Sequence, residues 1–497
     1  VPLRTDFTLP PPHPLPELAG LAIHVFGARG RGMRPLALAA AAAGAAVDGC
    51  DRYSTLEGDH ALDEAGIRVV EGHDPGHVAG RRLITTTAVR PDEPEIARAR
   101  ADGVLHHRSD LLDALLRRRA SVSVTGTHGK GTVAALTGMA LAALDADPEI
   151  ILGVSVPALG GPFRAGSGPA VVEADDADGS IARIRPTVSV VTNSWADHPG
   201  FGRTRTEVAD DIAAHVAGLD VTSRVIVGRG RNLAPIAREA RAPVWRLGRD
   251  FDVETLRVTV DGHVLRLRDI DGAPVEAHVA LHGGNLADNA ALAFAALRAL
   301  GWPAEAAAGA LGALTSLRRR LELVANVNGI RIFDDIGKHP EAVAANLAAV
   351  RALRPHAVHV LYEPFVHEDV LRWAARWSAV LGSADSVVVL PVDDRPVLVP
   401  KRHAPSDWPR RVGLAADLAR SRDEAVELIG SRCRPGDAVV VLGALDDLDG
   451  VPQDLASWLT RRGGRRPAAE RQAAGDRSAI SGPGGDAGDG EEPGGRA

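Results

Sequence analysis

The sequence predicts an α/β protein of three consecutive α/β domains, and three observations carry that expectation. The chain has 497 residues, and domains run to roughly 100–200 residues, so about three are expected. Short apolar runs that read as buried strands alternate with alanine- and leucine-rich stretches that read as helices. Two of those strands run straight into glycine-rich turns that open a helix, at F-G-A-R-G-R-G-M (26–33) and T-G-T-H-G-K-G-T (125–132).

In chain order, LAIHVF (21–26) reads as a buried strand, followed by the first glycine turn, an alanine-rich helix to about Ala46 and a short strand towards Asp51. Strand-like LITTTAV (83–89) and VLHH (104–107) alternate with helical stretches, and LLDALLRRR (111–119) closes a first, Rossmann-like domain of residues 1–118. The second strand–turn–helix, residues 121–144, opens a middle P-loop ATPase domain of residues 119–314. It continues through strands at PAVVEAD (169–175) and TVSVVTN (187–193) to a helix at LADNAALAFAALRAL (286–300). The stretch 311–324 leads into a third βα series, GIRIFDD (329–335), AVHVLYE (357–363), SVVVLPV (386–392) and DAVVVLG (437–443), in a Rossmann-like domain of residues 315–463. Residues 464–497 turn to Gly, Pro, Arg, Asp and Glu without apolar periodicity and read as a disordered tail.

Composition bounds the function. Hydrophobic residues at 45% and charged residues at 24% exclude fibrous and wholly disordered classes. A net charge of -7 over 57 basic and 64 acidic residues gives no global field to hold nucleic acid or a membrane surface, so an anion must be held locally. Cys50 and Cys433 lie far apart and form no C-x-x-C or zinc-ligand pattern, which fits a reducing cytoplasm. The longest apolar stretch, 35–47, is too short to span a bilayer, and no secretory signal opens the chain. Lysine is confined to Lys130, Lys338 and Lys401, so each retained ammonium draws attention.

The strongest motif is the loop at 125–132. Gly126, Gly129 and Gly131 let the backbone approach a polyphosphate, with Thr127 and His128 between them. The helix N-terminus presents free N–H groups, and Lys130 neutralises the outer phosphates. Gly131 stands where the general phosphate loop has a hydroxyl, and Thr132 supplies the metal-binding oxygen one residue later. Glu173, in V-V-E-A-D-D-A-D, follows a strand and can reach phosphates across the sheet's carboxyl edge. A carboxylate with phosphate oxygens and water is a usual magnesium set. For Asp175, Asp176 and Asp178 a solvated acidic turn is the other reading. The glycine turn at 26–33, read from its residues alone, suits a dinucleotide as well as a nucleotide sugar.

The T-G-T-H-G-K loop resembles the ATP loop of the Mur ligase superfamily, which forms amide bonds between a carboxylate and an amino acid. That resemblance implies roles for other segments. E-A-D-D-A-D resembles the E-x-D-E-S-D of the alanine-adding branch, with Glu173 as a magnesium ligand. T-N-S-W-A-D-H resembles T-N-x-x-x-D-H and puts His198 in the place of a second magnesium ligand. L-H-G-G-N-L-A-D-N resembles a nucleotide-holding motif, with Asn289 matched and Asn285 displaced by one position; a helix cap is the other reading of Asn285. R-R-R-L-E (318–322) resembles R-R-F-E, making Arg320 the phosphate-contacting arginine and leaving Arg318 and Arg319 as a solvated helix face. F-D-D-I-G-K-H-P-E (333–341) resembles D-D-Y-x-H-H-P, with Asp335 at the ribose or metal waters and Lys338 and His339 near the incoming amino acid.

In the first domain the glycine turn resembles the branch's I-G-I-G-G-I-G-M, which cradles a uridine diphosphate. Gly27, Arg29, Gly30, Gly32, Met33, Asp51 and His73 are then the substrate-binding residues, and Arg29 and Arg31 add positive charge. The resemblance covers residues 20 to about 460. The family's F-Q-P-H-R-x-x-R-T is represented by L-Y-E-P-F-V-H-E-D (361–369), without either arginine. The resemblance implies an ATP- and magnesium-dependent ligase of the cytoplasm that works through an acyl phosphate, as a monomer or homodimer. Its expected substrates are UDP-N-acetylmuramate, or a related nucleotide-linked carboxylate, and an L-amino acid. Ligation of another carboxylate in specialised metabolism, a silent nucleotide-binding paralogue and a nicotinamide enzyme built on the first turn are the competing readings.

Overall fold

The computed structural model describes residues 9–52, 56–195, 204–337, 339–364, 373–390, 408–411, 413–443 and 450–464. His198, Lys338, Lys401 and the expected tail beyond residue 464 lie outside the described residues.

The first sheet contains β1 (Ala22–Phe26), β2 (Ala46–Asp51), β3 (Arg68–Glu71), β4 (Arg82–Thr85) and β5 (Leu105–His107), all parallel in the order β3-β2-β1-β4-β5. Helices α1 (Arg34–Ala42), α2 (Leu56–Glu64) and α3 (Pro94–Ala101) lie between these strands, and α4 (Arg108–Leu116) follows β5. Order reverses on either side of β1, so the turn after β1 opens into a crevice at the carboxyl edge, where doubly wound sheets take ligands. Proline in the first turn starts α1, and a capping box between His107 and Asp110 starts α4. Helix α1 ends at Ala42 rather than near Ala46, because Gly44 takes a left-handed φ of 89° and Ala46 already pairs with β1. Strand β4 ends at Thr85 where residues 83–89 were expected to continue, and the chain turns at Thr86 to bring Thr87 to Asp178.

The middle sheet is formed by β6 (Ser121–Thr125), β7 (Glu149–Val156), β8 (Gly161–Arg164), β9 (Ala170–Glu173), β10 (Val188–Val191), β11 (Arg224–Val227) and β12 (Val244–Arg246). Their order is β12-β11-β10-β6-β9-β7-β8, parallel except for the β7–β8 edge. Strands β13 (Asp252–Thr259), β14 (Gly262–Arg268) and β15 (Pro274–Val279) form an antiparallel sheet that the strand reading passed over. A signal was present in the Asp261-Gly262 pair between alternating residues, and the hairpin turns at Val260-Asp261 with Gly262 opening β14 opposite Thr259. Leu265, Leu267, Ala277 and Val279 of this small sheet share one core with α5 (Lys130–Ala143), α8 (Leu286–Ala299) and the middle sheet.

The last sheet runs β16-β17-β21-β18-β19-β20 and is parallel except for β16–β17. Its strands are β16 (Glu322–Val327), β17 (Ile330–Asp335), β18 (Val358–Glu363), β19 (Ser386–Val389), β20 (Asp417–Leu418) and β21 (Ala438–Gly443). Arg318 and Arg319 lie on no helix: Arg319 has a φ of 55° and is buried, with its guanidinium on the Gly443 carbonyl and 3.7 Å from Asp334.

The first two domains share a core. Leu36 of α1 and Leu111 and Leu115 of α4 pack with Ile151, Val172 and Ile184 of the middle domain. Apolar burial at roughly 25 cal/mol per Å² makes this seam a strong constraint on how the two carboxyl edges face each other. Polar contacts complete it. Asp178 lies 3.5 Å from His107 Nε2 and 3.6 Å from Arg108 Nη2, and it accepts from Thr87 Oγ1 at 2.8 Å. Burial pushes the Asp178 carboxyl up, but His107 and Arg108 outweigh it and hold the carboxyl below its ordinary range.

Asp178→Asn breaks this buried set and should cost about 3–5 kcal/mol in urea unfolding at pH 7. The carboxyl's folded pKa is depressed, so its stabilisation is present above the ordinary value of 3.8 and is lost as pH falls through the lower folded value. The gap between wild type and variant should therefore narrow in acid.

Candidate active site

A cavity of about 1570 Å³ opens where the three carboxyl edges meet, and residues from all three domains line it. At its centre lies the loop between β6 and α5. A Cβ on Gly126 would stand 2.5 Å from both the Asn193 carbonyl oxygen and Thr192 Oγ1, so only glycine lets the loop lie on the end of β10. Asn193 Oδ1 accepts from the His128 N–H at 2.9 Å, while Asn193 Nδ2 and Thr192 Oγ1 donate to the His128 carbonyl at 2.9 and 2.7 Å. Thr127 Oγ1 accepts from Trp195 N at 2.7 Å and donates to its carbonyl at 2.8 Å. The loop is thus clamped before any ligand arrives, and Gly129, with φ 83°, turns it into α5. The open N–H groups of that helix end suit a phosphate.

Lys130 Nζ donates to Asp176 at 2.7 Å and to the Thr127 carbonyl at 3.4 Å. Burial works against its charge, but Asp176, Asp175 and Glu173 outweigh burial and raise its pKa, so it stays an ammonium. Glu173 accepts from Gly153 N at 2.8 Å, and a Cβ on Gly131 or Gly153 would stand 3.1 Å from its Oε2. Glycine on both sides leaves room at the carboxylate, and Thr132 lines the same cavity. One carboxylate and one hydroxyl beside a phosphate loop are the hard oxygen donors a magnesium ion takes. Asp175, Asp176 and Asp178 are not a solvated turn: Asp176 and Asp178 are buried, and Asp175 meets Arg108 at 2.6 Å.

Asn289 lies against the loop, with its Oδ1 2.6 Å from where a Gly129 Cβ would be. Asn285 stands at the N-cap of α8 without a capping side-chain bond and lines the cavity. Arg320 and Asp335 line the third-domain wall. Asp335 accepts from Leu321 N, Gly337 N and Asn346 Nδ2 at 2.9, 2.9 and 3.0 Å. Its pKa is raised by burial despite Arg320, so it shapes the turns that carry Arg320 and His339 as well as facing the cavity. His339 begins α10 (Pro340–Ala352), with Nδ1 2.5 Å from Glu341. Its ring stands 4.5 Å from the Trp373 ring and 5.2 Å from the His128 ring. Burial lowers its pKa, leaving a neutral imidazole at pH 7.

On the first-domain side Arg29, Gly30, Gly32 and Asp51 line the cavity, and Asp51 accepts from Arg29 N at 2.9 Å. Three residues expected there do not line it. Gly27 lies behind the turn, bonded through its N–H to the Cys50 carbonyl at 2.8 Å. Met33 is buried in the core shared by the first two domains, and Arg31 and Arg34 reach the cavity on either side of it. His73 stacks on Phe26 at 3.9 Å and bonds Cys50 Sγ at 3.2 Å, drawn away by a polar cluster behind the sheet. Conversely, Arg108, Asp176, Asn193, Trp373 and Arg376 join the site without having been assigned a role. Asn193 was legible in T-N and Arg108 in H-H-R, whereas Trp373 and Arg376 carry no spacing signal.

Comparison with known proteins decides the family. Residues 22–120 match the Mur ligase family catalytic domain, and residues 319–445 match the Mur ligase glutamate ligase domain. A UDP-N-acetylmuramate–L-alanine ligase of Paenarthrobacter aurescens is 33% identical over 457 residues, covering 86% of this chain and 96% of that relative. The chain belongs to the Mur ligase family. This Mur ligase is also 34% identical over 467 residues to a UDP-N-acetylmuramate–L-alanine ligase of Kineococcus radiotolerans, covering 88% of the chain and 96% of the relative. The crystal structure of the UDP-N-acetylmuramate–alanine ligase of Thermotoga maritima shares its fold with a TM-score of 0.71 at 21% identity, covering 89% of this chain and 99% of that one. A murein peptide ligase of Psychrobacter arcticus matches with a TM-score of 0.63 over the same shares. The expected α/β architecture and ATP-dependent ligase class both stand. Among the described residues no helix is long and apolar enough to cross a membrane.

Gly129→Ala of this Mur ligase places a side chain at φ 83° and against Asn289. Strain of about 1–3 kcal/mol should weaken ATP binding roughly tenfold or more, read by nucleotide titration, with little change in the unfolding of the first domain.

Proposed function

We propose that this Mur ligase joins a small L-amino acid to the carboxylate of UDP-N-acetylmuramate, in the cytoplasm, as a monomer or homodimer. The observation that carries the reading is one cavity holding both the phosphate loop and the arginine-rich first turn, so a nucleotide-linked carboxylate and ATP can meet in it. The relatives named above support the choice of substrate.

In this reading a carboxylate oxygen of the muramate attacks the γ-phosphorus, the bond to ADP breaks, and an acyl phosphate forms. The amine then attacks the acyl carbon, phosphate leaves with the C–O electron pair, and the amine gives up a proton. Lys130 and Arg320 oppose the charge that builds on the transferring oxygens. Glu173 and Thr132 are the residues that would hold magnesium, with His198 completing a second site; the ion supplies charge neutralisation at the phosphates. Asn289 and Asn285 border the nucleotide, and Gly126 to Thr132 wrap its phosphates. Arg29, Gly30, Gly32 and Asp51 receive the diphosphate of the nucleotide sugar. His339, neutral and beside Trp373, is placed to accept the amine's proton, with Asp335 holding its turn and Lys338 adjoining it. The loss of both arginines from 361–369 favours a second reading, in which the same chemistry serves another carboxylate or amine.

Phosphate release from ATP and magnesium with UDP-N-acetylmuramate, amino acids being added singly, tests the proposal. One amino acid should drive release and give an adduct of matching mass, and Lys130→Ala should lower kcat by about two to three orders of magnitude. Release without any muramate adduct, from a chain that turns over another carboxylate, would refute the substrate. His339→Gln should lower kcat more than it changes KM. Because burial depresses the His339 pKa, the acid limb of the wild-type profile should fall below its ordinary value of 6.5, and the variant should lose that limb.

A further inference from the structure

Behind the first sheet, away from the cavity, His24 of β1, Cys50 of β2, His77 and Glu95 of α3 bring one ligand atom each to within 4.8 Å of one another. Glu95 is fully buried. It faces His24 Nε2 at 3.1 Å, Cys50 Sγ at 3.4 Å and His77 Nδ1 at 3.6 Å. His24 is 2% exposed, and neither its Nε2 nor His77 Nδ1, both buried, makes a hydrogen bond. A purely structural network would satisfy those nitrogens, since an unmet buried polar atom costs about 1–3 kcal/mol.

The other nitrogen of His24 supplies an independent indication. His24 Nδ1 bonds Asp48 Oδ1 at 2.7 Å, and Asp48 is itself held by Arg81 Nε at 3.1 Å. A carboxylate on the far nitrogen fixes the tautomer that turns the lone pair of Nε2 inward, as it does for metal-bound histidines. We propose that His24, Cys50, His77 and Glu95 form a structural zinc site. One thiolate, one carboxylate and two neutral imidazoles suit a tetrahedral zinc, with bonds of about 2.0–2.3 Å. The charges sum to zero, so the filled site is electrically neutral in its buried setting. Binding releases to solvent the Cys50 thiol proton and the proton that Asp48 and Glu95 favour on His24, leaving the sulfur and the His24 Nε2 lone pair as ligands. The ligands come from four segments remote in sequence, so no short spacing motif announces them. The Cys50 carbonyl accepts from Gly27 N and Ala28 N at 2.8 and 3.1 Å, so zinc here braces the turn that carries Arg29.

The test is metal content of the full chain, followed by cobalt titration after chelator treatment. The wild type should retain close to one zinc per chain through desalting, or bind one equivalent of cobalt with a thiolate charge-transfer band and tetrahedral visible bands. Cys433→Ala should keep the band, and Cys50→Ser should lose it and lower zinc occupancy at least tenfold. Wild-type protein that holds no zinc and gives no cobalt band overturns the site, as does a band that survives Cys50→Ser. Should Cys50→Ser fail to fold, the wild type and Cys433→Ala decide alone.

Discussion

Four carboxylates in the six residues from Glu173 to Asp178 set how this molecule holds together. Together they reach partners in both the first and the middle domain. Glu173 meets Gly153 N, Asp175 meets Arg108, Asp176 meets Lys130, and Asp178 meets His107, Arg108 and Thr87. So much negative charge in a buried turn is tolerable only because Lys130 and Arg108 balance it and backbone N–H groups share it. One short turn therefore ties the first domain to the phosphate loop, and a shift in either is felt by the other.

Packing reinforces that tie. Helices α1 and α4 follow strands of the first sheet and share a core with the middle domain, so the turn before α1 lines the same cavity as the loop before α5. The third domain arrives by a different route. Arg319 is buried against the Gly443 carbonyl and Asp334, and Asp335 gathers Leu321, Gly337 and Asn346. These contacts set the wall that carries Arg320 and His339 without any of them touching the first domain.

Much of this was legible in the sequence because local patterns imposed it. The apolar strands that carry the glycine turns, and the turns themselves, lie where periodicity and glycine spacing put them. Met33 shows the limit: the motif fixes where the chain turns, but a helix start gives one side chain to the core and its neighbours to the crevice. His73 was drawn elsewhere by Cys50 and Phe26, residues whose proximity only the sheet creates. A surface turn stayed open as a reading of the acidic run because its partners, Arg108 and Lys130, are 67 and 46 positions away. Arg319 looked like a helix face because a positive φ leaves no mark on R-R-R-L.

In the proposed function two phosphate-bearing molecules share the cavity, and its cations fall into two groups that suit them. Arg29, Arg31, Arg34 and Arg108 border it on the first-domain side, while Lys130 and Arg320 stand at the loop and the third-domain wall. At an effective dielectric of about 20, like charges 4 Å apart repel by roughly 4 kcal/mol, so two polyphosphates must be kept apart by separate sets of cations. Within the loop set the Lys130 ammonium is already paired with Asp176. In the proposed reaction a carboxylate brought to the loop would share that cation with the γ-phosphate, which favours its approach to the phosphorus. The scarcity of lysine makes the same point from composition: in a chain that uses arginine almost everywhere, a compact ammonium is kept between Asp176 and the Thr127 carbonyl at the glycine loop.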